Sequence, residues 1–142
     1  EGGLYTSQKL LLTWLTTDPA LLGKVKGIVT AEDFTDEFYY GAAKEVFEQY
    51  EKEGTVTPAR ILNRYETKEE QAKAAELFQT TLLGDLDEMQ KAKAFAETVR
   101  KVKLSSIEMR MGRAAETGDL EAMQKAIAEQ ASLNTTLQKA GL

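Results

Sequence analysis

Three observations predict an all-α protein. Apolar residues recur at three- and four-residue steps along almost the whole 142-residue chain. Runs of β-branched residues with alternating polarity, the mark of strands, are missing. The helical stretches are separated by capping residues and glycines that can be counted. The architecture they imply is a helical bundle subdomain over residues 1–103, a long helix leaving it, and a C-terminal antiparallel helical hairpin over residues 104–142.

The elements follow in order. In "YTSQKLLLTWLTTDPALLGKV" a first helix starts near Thr6 or Ser7 and buries Leu4, Leu10, Leu11, Leu12, Trp14 and Leu15. Asp18 and Pro19 restart the chain, since Asp accepts from free N–H groups and Pro fits the first helical position. Leu21, Leu22, Val25 and Ile28 give the second helix its apolar face. Thr35 is expected to cap a third helix of about five turns carrying Phe38, Tyr39, Ala42, Val46, Phe47 and Tyr50, with Gly54 at its end. Thr57-Pro58 opens a short fourth helix with Ile61, Leu62 and Tyr65, and "TKEE" at 67–70 is a capping box for a fifth.

From Asp85 to Glu116 only Gly112 interrupts, so the spacing predicts one helix of about 30 residues and about 45 Å. Two apolar stripes run along it, displaced by roughly a quarter turn. Met89, Ala92, Phe95, Ala96, Val99 and Val102 form the first; Leu104, Ile107, Met111 and Ala114 form the second. Paired serines bond readily to the preceding turn and bend helices, so a joint is expected at Leu104, Ser105 and Ser106. Gly118 and the Asp119 cap then fold the chain back on itself. The last helix also has two strips. Leu120, Met123, Ile127, Ala131 and Asn134 are expected to pack on Ile107 and Met111, leaving Ala126, Leu133, Leu137 and Ala140 as a second strip about 100° away. Two outcomes are open for that second strip: a partner surface, or folding back onto the first subdomain.

Composition narrows the function. Eighteen basic against 23 acidic residues give a net charge of −5, so nucleic-acid phosphate is a poor expected ligand. Without Cys or His there are no disulfides, no thiolate and no usual zinc site, and the commonest general base is gone. No catalytic, cofactor or metal residues are assigned, and no apolar stretch approaches the roughly 20 residues of a membrane span. A cytoplasmic protein is the default expectation, and an enzyme the least expected class.

The order of features resembles the C-terminal, helicase-binding domain of bacterial DnaG-type primases. An opening "SQKLLLTWLTTDPALL" precedes "IVTAEDFTDEFYYGAAKEVFEQYEKEG", followed by a long helix and a terminal hairpin. The likeness covers essentially the whole chain and lies in order and spacing, because each motif alone consists of capping and core residues. It implies a helical subdomain with an x-x-E-D-F turn, here Thr30-Ala31-Glu32-Asp33-Phe34, joined by a long helix to a hairpin. That hairpin would dock on the N-terminal domains of a hexameric DnaB-type replicative helicase. The ending "LNTTLQK" resembles the Leu-Asn-x-x-Leu-x-Lys of some primases, which implies that Thr135 and Lys139 face the helicase. The chain departs from that pattern in continuing through Ala140, Gly141 and Leu142. On this likeness the chain is one non-catalytic domain of a longer primase, monomeric when free and active at the replication fork.

Two alternatives stand beside it. The N-terminal domain of the helicase itself shares the E-D-F helical fold, but the terminal hairpin and the missing phosphate-binding loop favour the primase. A helical adaptor that self-associates through its hairpin is the other. Leu133, Thr135, Leu137, Lys139 and Ala140 are the expected partner residues, with Arg110 and Arg113 as a basic rim. Phe34, Phe38, Phe47 and Trp14 are read as core, and the acidic pairs Asp33 with Asp36 and Glu69 with Glu70 as helix-terminus groups. Arg100, Lys101 and Lys103 are read chiefly as a solvated face.

Overall fold

The computed structural model describes residues 2–79 and 86–142, with the side chains of residues 6–78 and 86–142. Among the described residues are α1 (Gly2–Thr17), α2 (Ala20–Val25), a 3-10 turn (Ala31–Asp33), α3 (Glu37–Glu53), α4 (Pro58–Leu62), α5 (Lys68–Gln79), α6 (Glu88–Thr117) and α7 (Leu120–Lys139), and no strand. The Leu4 side chain and the expected helix start at Asp85 lie outside the described residues.

Local chemistry places the ends. Asp36 rather than Thr35 caps α3, its carboxylate accepting from the Tyr39 N–H at 3.1 Å. Thr35 is already engaged, since buried Gln8 donates to its hydroxyl at 2.7 Å and accepts from the Asp36 N–H at 3.1 Å. Asp87 and Gln90 form a reciprocal capping box at the start of α6. Gly118, with φ 70°, ends α6 in the left-handed conformation, and the Asp119 carboxylate accepts from the Ala122 N–H at 3.0 Å to start α7. With only these two residues between them, α6 and α7 run antiparallel and form the most extensive helix pair of the fold.

One apolar core draws on every helix. Leu11 and Leu15 of α1, Val46 of α3, Ile61 of α4 and Val99 of α6 are fully buried. Trp14 meets Phe95 edge-on, with ring centroids 5.8 Å apart. Phe34 is buried as expected, whereas Phe38 lies at the rim, stacked on Tyr65 under the Lys73 ammonium. The buried face of α6 drifts, from Phe95, Val99 and Val102 to Ile107 and Ala114, while Met89, assigned to the first stripe, is 81% exposed.

The two strips of α7 are reversed relative to expectation. Leu133 and Leu137 are each 5% exposed and join the core of α1–α6, and Ala126 is buried too. Leu120 and Ile127, expected to pack inward, are 75% and 47% exposed. The physical reason is reach. Running back from Gly118, α7 passes beside the bundle in its second half, where Leu133 lines one groove with Ile28, Lys103 and Ile107 and is buried in the main core. The strip that touches two elements instead of one removes more apolar surface from water.

Ala140, Gly141 and Leu142 complete this packing. The Gly141 N–H bonds the Gln138 carbonyl at 3.0 Å and the Leu142 N–H bonds the Leu137 carbonyl at 2.9 Å, with Gly141 at φ 81°. That pair of bonds is a Schellman motif, in which the residue after the left-handed glycine turns back to make an apolar contact. Leu142 does so against the core, beside Trp14, Leu21 and Phe95.

Candidate functional site

A charged cluster lies where the 3-10 turn, α6 and α7 meet. Asp33 is buried at the end of the E-D-F turn, one carboxylate oxygen accepting from the Thr30 N–H at 3.0 Å. That bond is half of a capping arrangement, as the acidic-pair reading supposed. The same carboxylate also accepts from the Ser106 hydroxyl at 2.7 Å and from the Lys103 ammonium at 3.2 Å. The Lys103 and Asp33 side chains are 10% and 6% exposed, so this ion pair is almost fully withdrawn from water. Such a pair gains little stability over apolar residues of like volume, but removing one partner alone costs about 3–5 kcal/mol.

The cluster continues outward to α7. Glu129 lies 3.8 Å from the Lys103 ammonium and accepts from Arg110 at 2.6 and 3.2 Å in a two-pronged arrangement. The Arg110 hydrogen bond holds the Glu129 carboxyl below the usual carboxylate range, and the same bond raises Arg110. Arg110 is also 3.9 Å from Asp33. Arg110, expected as basic rim, is paired at the outer edge of the cluster with its side chain 38% exposed, whereas Arg113 is exposed against the Met109 sulfur at 3.6 Å.

The joint expected at Leu104, Ser105 and Ser106 is not a break in the helix. α6 runs through it uninterrupted, and the Ser106 hydroxyl reaches across to Asp33 instead of back to its own preceding turn. Leu104 packs on the core. Lys103, read as part of a solvated basic run, is the residue that sequence reasoning missed. A signal was there: position 103 falls at the crossing of the two apolar stripes, where a cation has to be either buried or displaced.

Of the five expected partner residues, the structure splits the set. Leu133 and Leu137 face inward, Ala140 is half-buried at the end of α7, and Thr135 and Lys139 are exposed. Steps of about 100° place Leu120, Gln124, Ile127, Ala131 and Thr135 on the outward side, all exposed, with Lys139 at its edge. This is a continuous face with two large apolar side chains, held by the cluster on the opposite side of the helix. No described helix is long and apolar enough to cross a membrane. Comparison with protein-family models, with curated proteins and with solved structures returned no match to this chain.

Proposed function

We propose that this chain is a helicase-docking domain of a bacterial DnaG-type primase, a bundle that presents a terminal helical hairpin to the N-terminal domains of a hexameric DnaB-type helicase. In this reading the domain works in the cytoplasm at the replication fork and brings primer synthesis to the place where duplex is opened. Residues 1–103 are the platform and 104–142 the docking element. The domain carries no chemistry of its own.

The observation that carries the proposal is the outward face of α7. Leu120 and Ile127 are large apolar side chains exposed on a helix whose other apolar strip, Ala126, Leu133 and Leu137, is buried. Full burial of such a side chain is worth about 1.5–3 kcal/mol, so Leu120, at 75% exposed, offers most of that and Ile127, at 47%, about half. Thr135 and Lys139, which the primase resemblance directs at the helicase, are exposed on the same side. A small apolar centre with polar surroundings suits reversible docking.

Titration of the domain into purified hexameric helicase by calorimetry tests this. Saturable binding is expected, weakened at least tenfold by Leu120→Asp with Ile127→Asp at unchanged melting temperature. Absence of binding by the intact domain at high micromolar concentration refutes it. The same exposed face also favours the self-associating adaptor, which sedimentation distinguishes: that reading requires a stable dimer of the free domain, abolished by the same two substitutions.

A further inference from the structure

The buried cluster holds two residues of α6 with one carboxylate. Lys103 and Ser106 lie about one turn apart, and both bond Asp33, itself fixed by the Thr30 N–H. They bracket Leu104 and Ser105, where the apolar face of α6 changes direction. α6 packs on α1, and α7 runs alongside it on both sides of that point, Asn134 accepting from Arg100 before it and Glu129 accepting from Arg110 after it. Apolar packing is non-directional and leaves a helix free to settle at several angles, whereas hydrogen bonds to two atoms of one fixed group do not.

We infer that Asp33 is a positioning residue that sets the direction in which the second half of α6, and α7 with it, leaves the bundle. Its ion pair serves orientation more than stability, since a matched apolar pair would serve stability as well. Leu104 to Glu116 makes a lever of about 18 Å, so a tilt of about 15° at Ser105 moves the tip of the hairpin by about 5 Å. The consequence for docking rests on the primase reading. The orientation itself does not, and is measurable without any partner.

The chain has no cysteine, which makes site-specific labelling direct. Glu48→Cys on α3 and Glu116→Cys near the tip of α6, both exposed, carry nitroxide spin labels, and the distance distribution between them is read by pulsed electron spin resonance. Two backgrounds are compared with the parent. One is Asp33→Asn, and the other is Asp33→Leu with Lys103→Met, which removes both charges while Glu129 keeps Arg110. The proposal expects the double variant to stay folded, with a lowered melting temperature because Asp33→Leu also takes the acceptor from the Thr30 N–H and the buried Ser106 hydroxyl, and to show a distribution shifted or broadened by about 5 Å. A distribution as narrow as the parent's and at the same distance, in a folded double variant, overturns it. Failure of both variants to fold also overturns it, because the cluster would then be a determinant of folding and not of direction.

Discussion

Leu137→Ala and Leu120→Ala make the same chemical change on the same helix, one on each strip, and the fold assigns them opposite consequences. Leu137 is 5% exposed within the main core, and truncating a buried leucine costs about 2–5 kcal/mol. The lower half of that range, about 3 kcal/mol, is the expected loss at Leu137. With an unfolding entropy of about 2.1 cal/mol/K per residue, 142 residues give about 0.3 kcal/mol/K, so the melting temperature falls by about 10 °C. Leu120 is 75% exposed, and its truncation is expected to cost under about 0.5 kcal/mol, less than about 2 °C. Far-UV circular dichroism through thermal unfolding, with urea midpoints as a second measure, separates the two. Equal losses, or a larger loss for Leu120→Ala, would refute the reasoning, because α7 would then have to be rotated by about 100° to bring the other strip inward. By the same logic Leu133→Asp unfolds the protein instead of merely weakening a partner contact.

Three further outcomes follow from particular atoms. Gly141→Ala is expected to lower stability by about 1–2 kcal/mol from backbone strain alone, since φ is 81° and an added Cβ meets nothing within 4 Å; Gly141→Asn should cost less in the same melting experiment. Glu129 is held below the ordinary carboxylate range by Arg110, so its contribution is present above about pH 4.3 and lost as pH falls through its lower folded value. The pair is partly exposed, so Glu129→Gln should cost about 1 kcal/mol or less at neutral pH, and the gap from the parent should close in urea titrations below about pH 4 and narrow in high salt. The Tyr65 hydroxyl is buried without a hydrogen-bond partner among the described residues, and burial pushes its phenol up, so Tyr65→Phe is expected to be neutral or to stabilise by up to about 1 kcal/mol by chemical denaturation.

Much of the helix plan was legible because it is written in local chemistry. Gly54, Gly118, Asp119, Thr57-Pro58 and the Thr67 to Glu70 box each act within one turn of chain, and each stands at or beside a helix end. The choice of Asp36 over Thr35 was not legible, because it depends on Gln8, 27 residues earlier in the chain. The candidate site failed for the same reason. Asp33 announces itself only as a capping acid and Lys103 only as one basic residue in "ETVRKVKL", and nothing local says that they meet across 70 residues. Thr135 and Lys139 are exposed, while Leu133 and Leu137 show that periodicity finds an apolar strip without saying which neighbour covers it.

Apolar reach selects which strip of α7 is buried, and the position of Glu129, to one side of the buried strip, agrees with that choice. On the helical wheel Glu129 lies about 60° from the middle of the strip Ala126, Leu133 and Leu137, and nearly opposite Leu120 and Ile127. Turning Leu120 and Ile127 inward would carry Glu129 into solvent and strip Lys103 and Arg110 of a shared acidic partner. With Glu129 bonded to Arg110, only the strip containing Leu133 and Leu137 faces the bundle. The same rotation leaves Leu120, Ile127 and Thr135 pointing away from it. The polar contact thus reinforces a choice that apolar burial makes, so a charge change at Glu129, worth about 1 kcal/mol or less, should leave Leu133 and Leu137 buried and the outward face as it is.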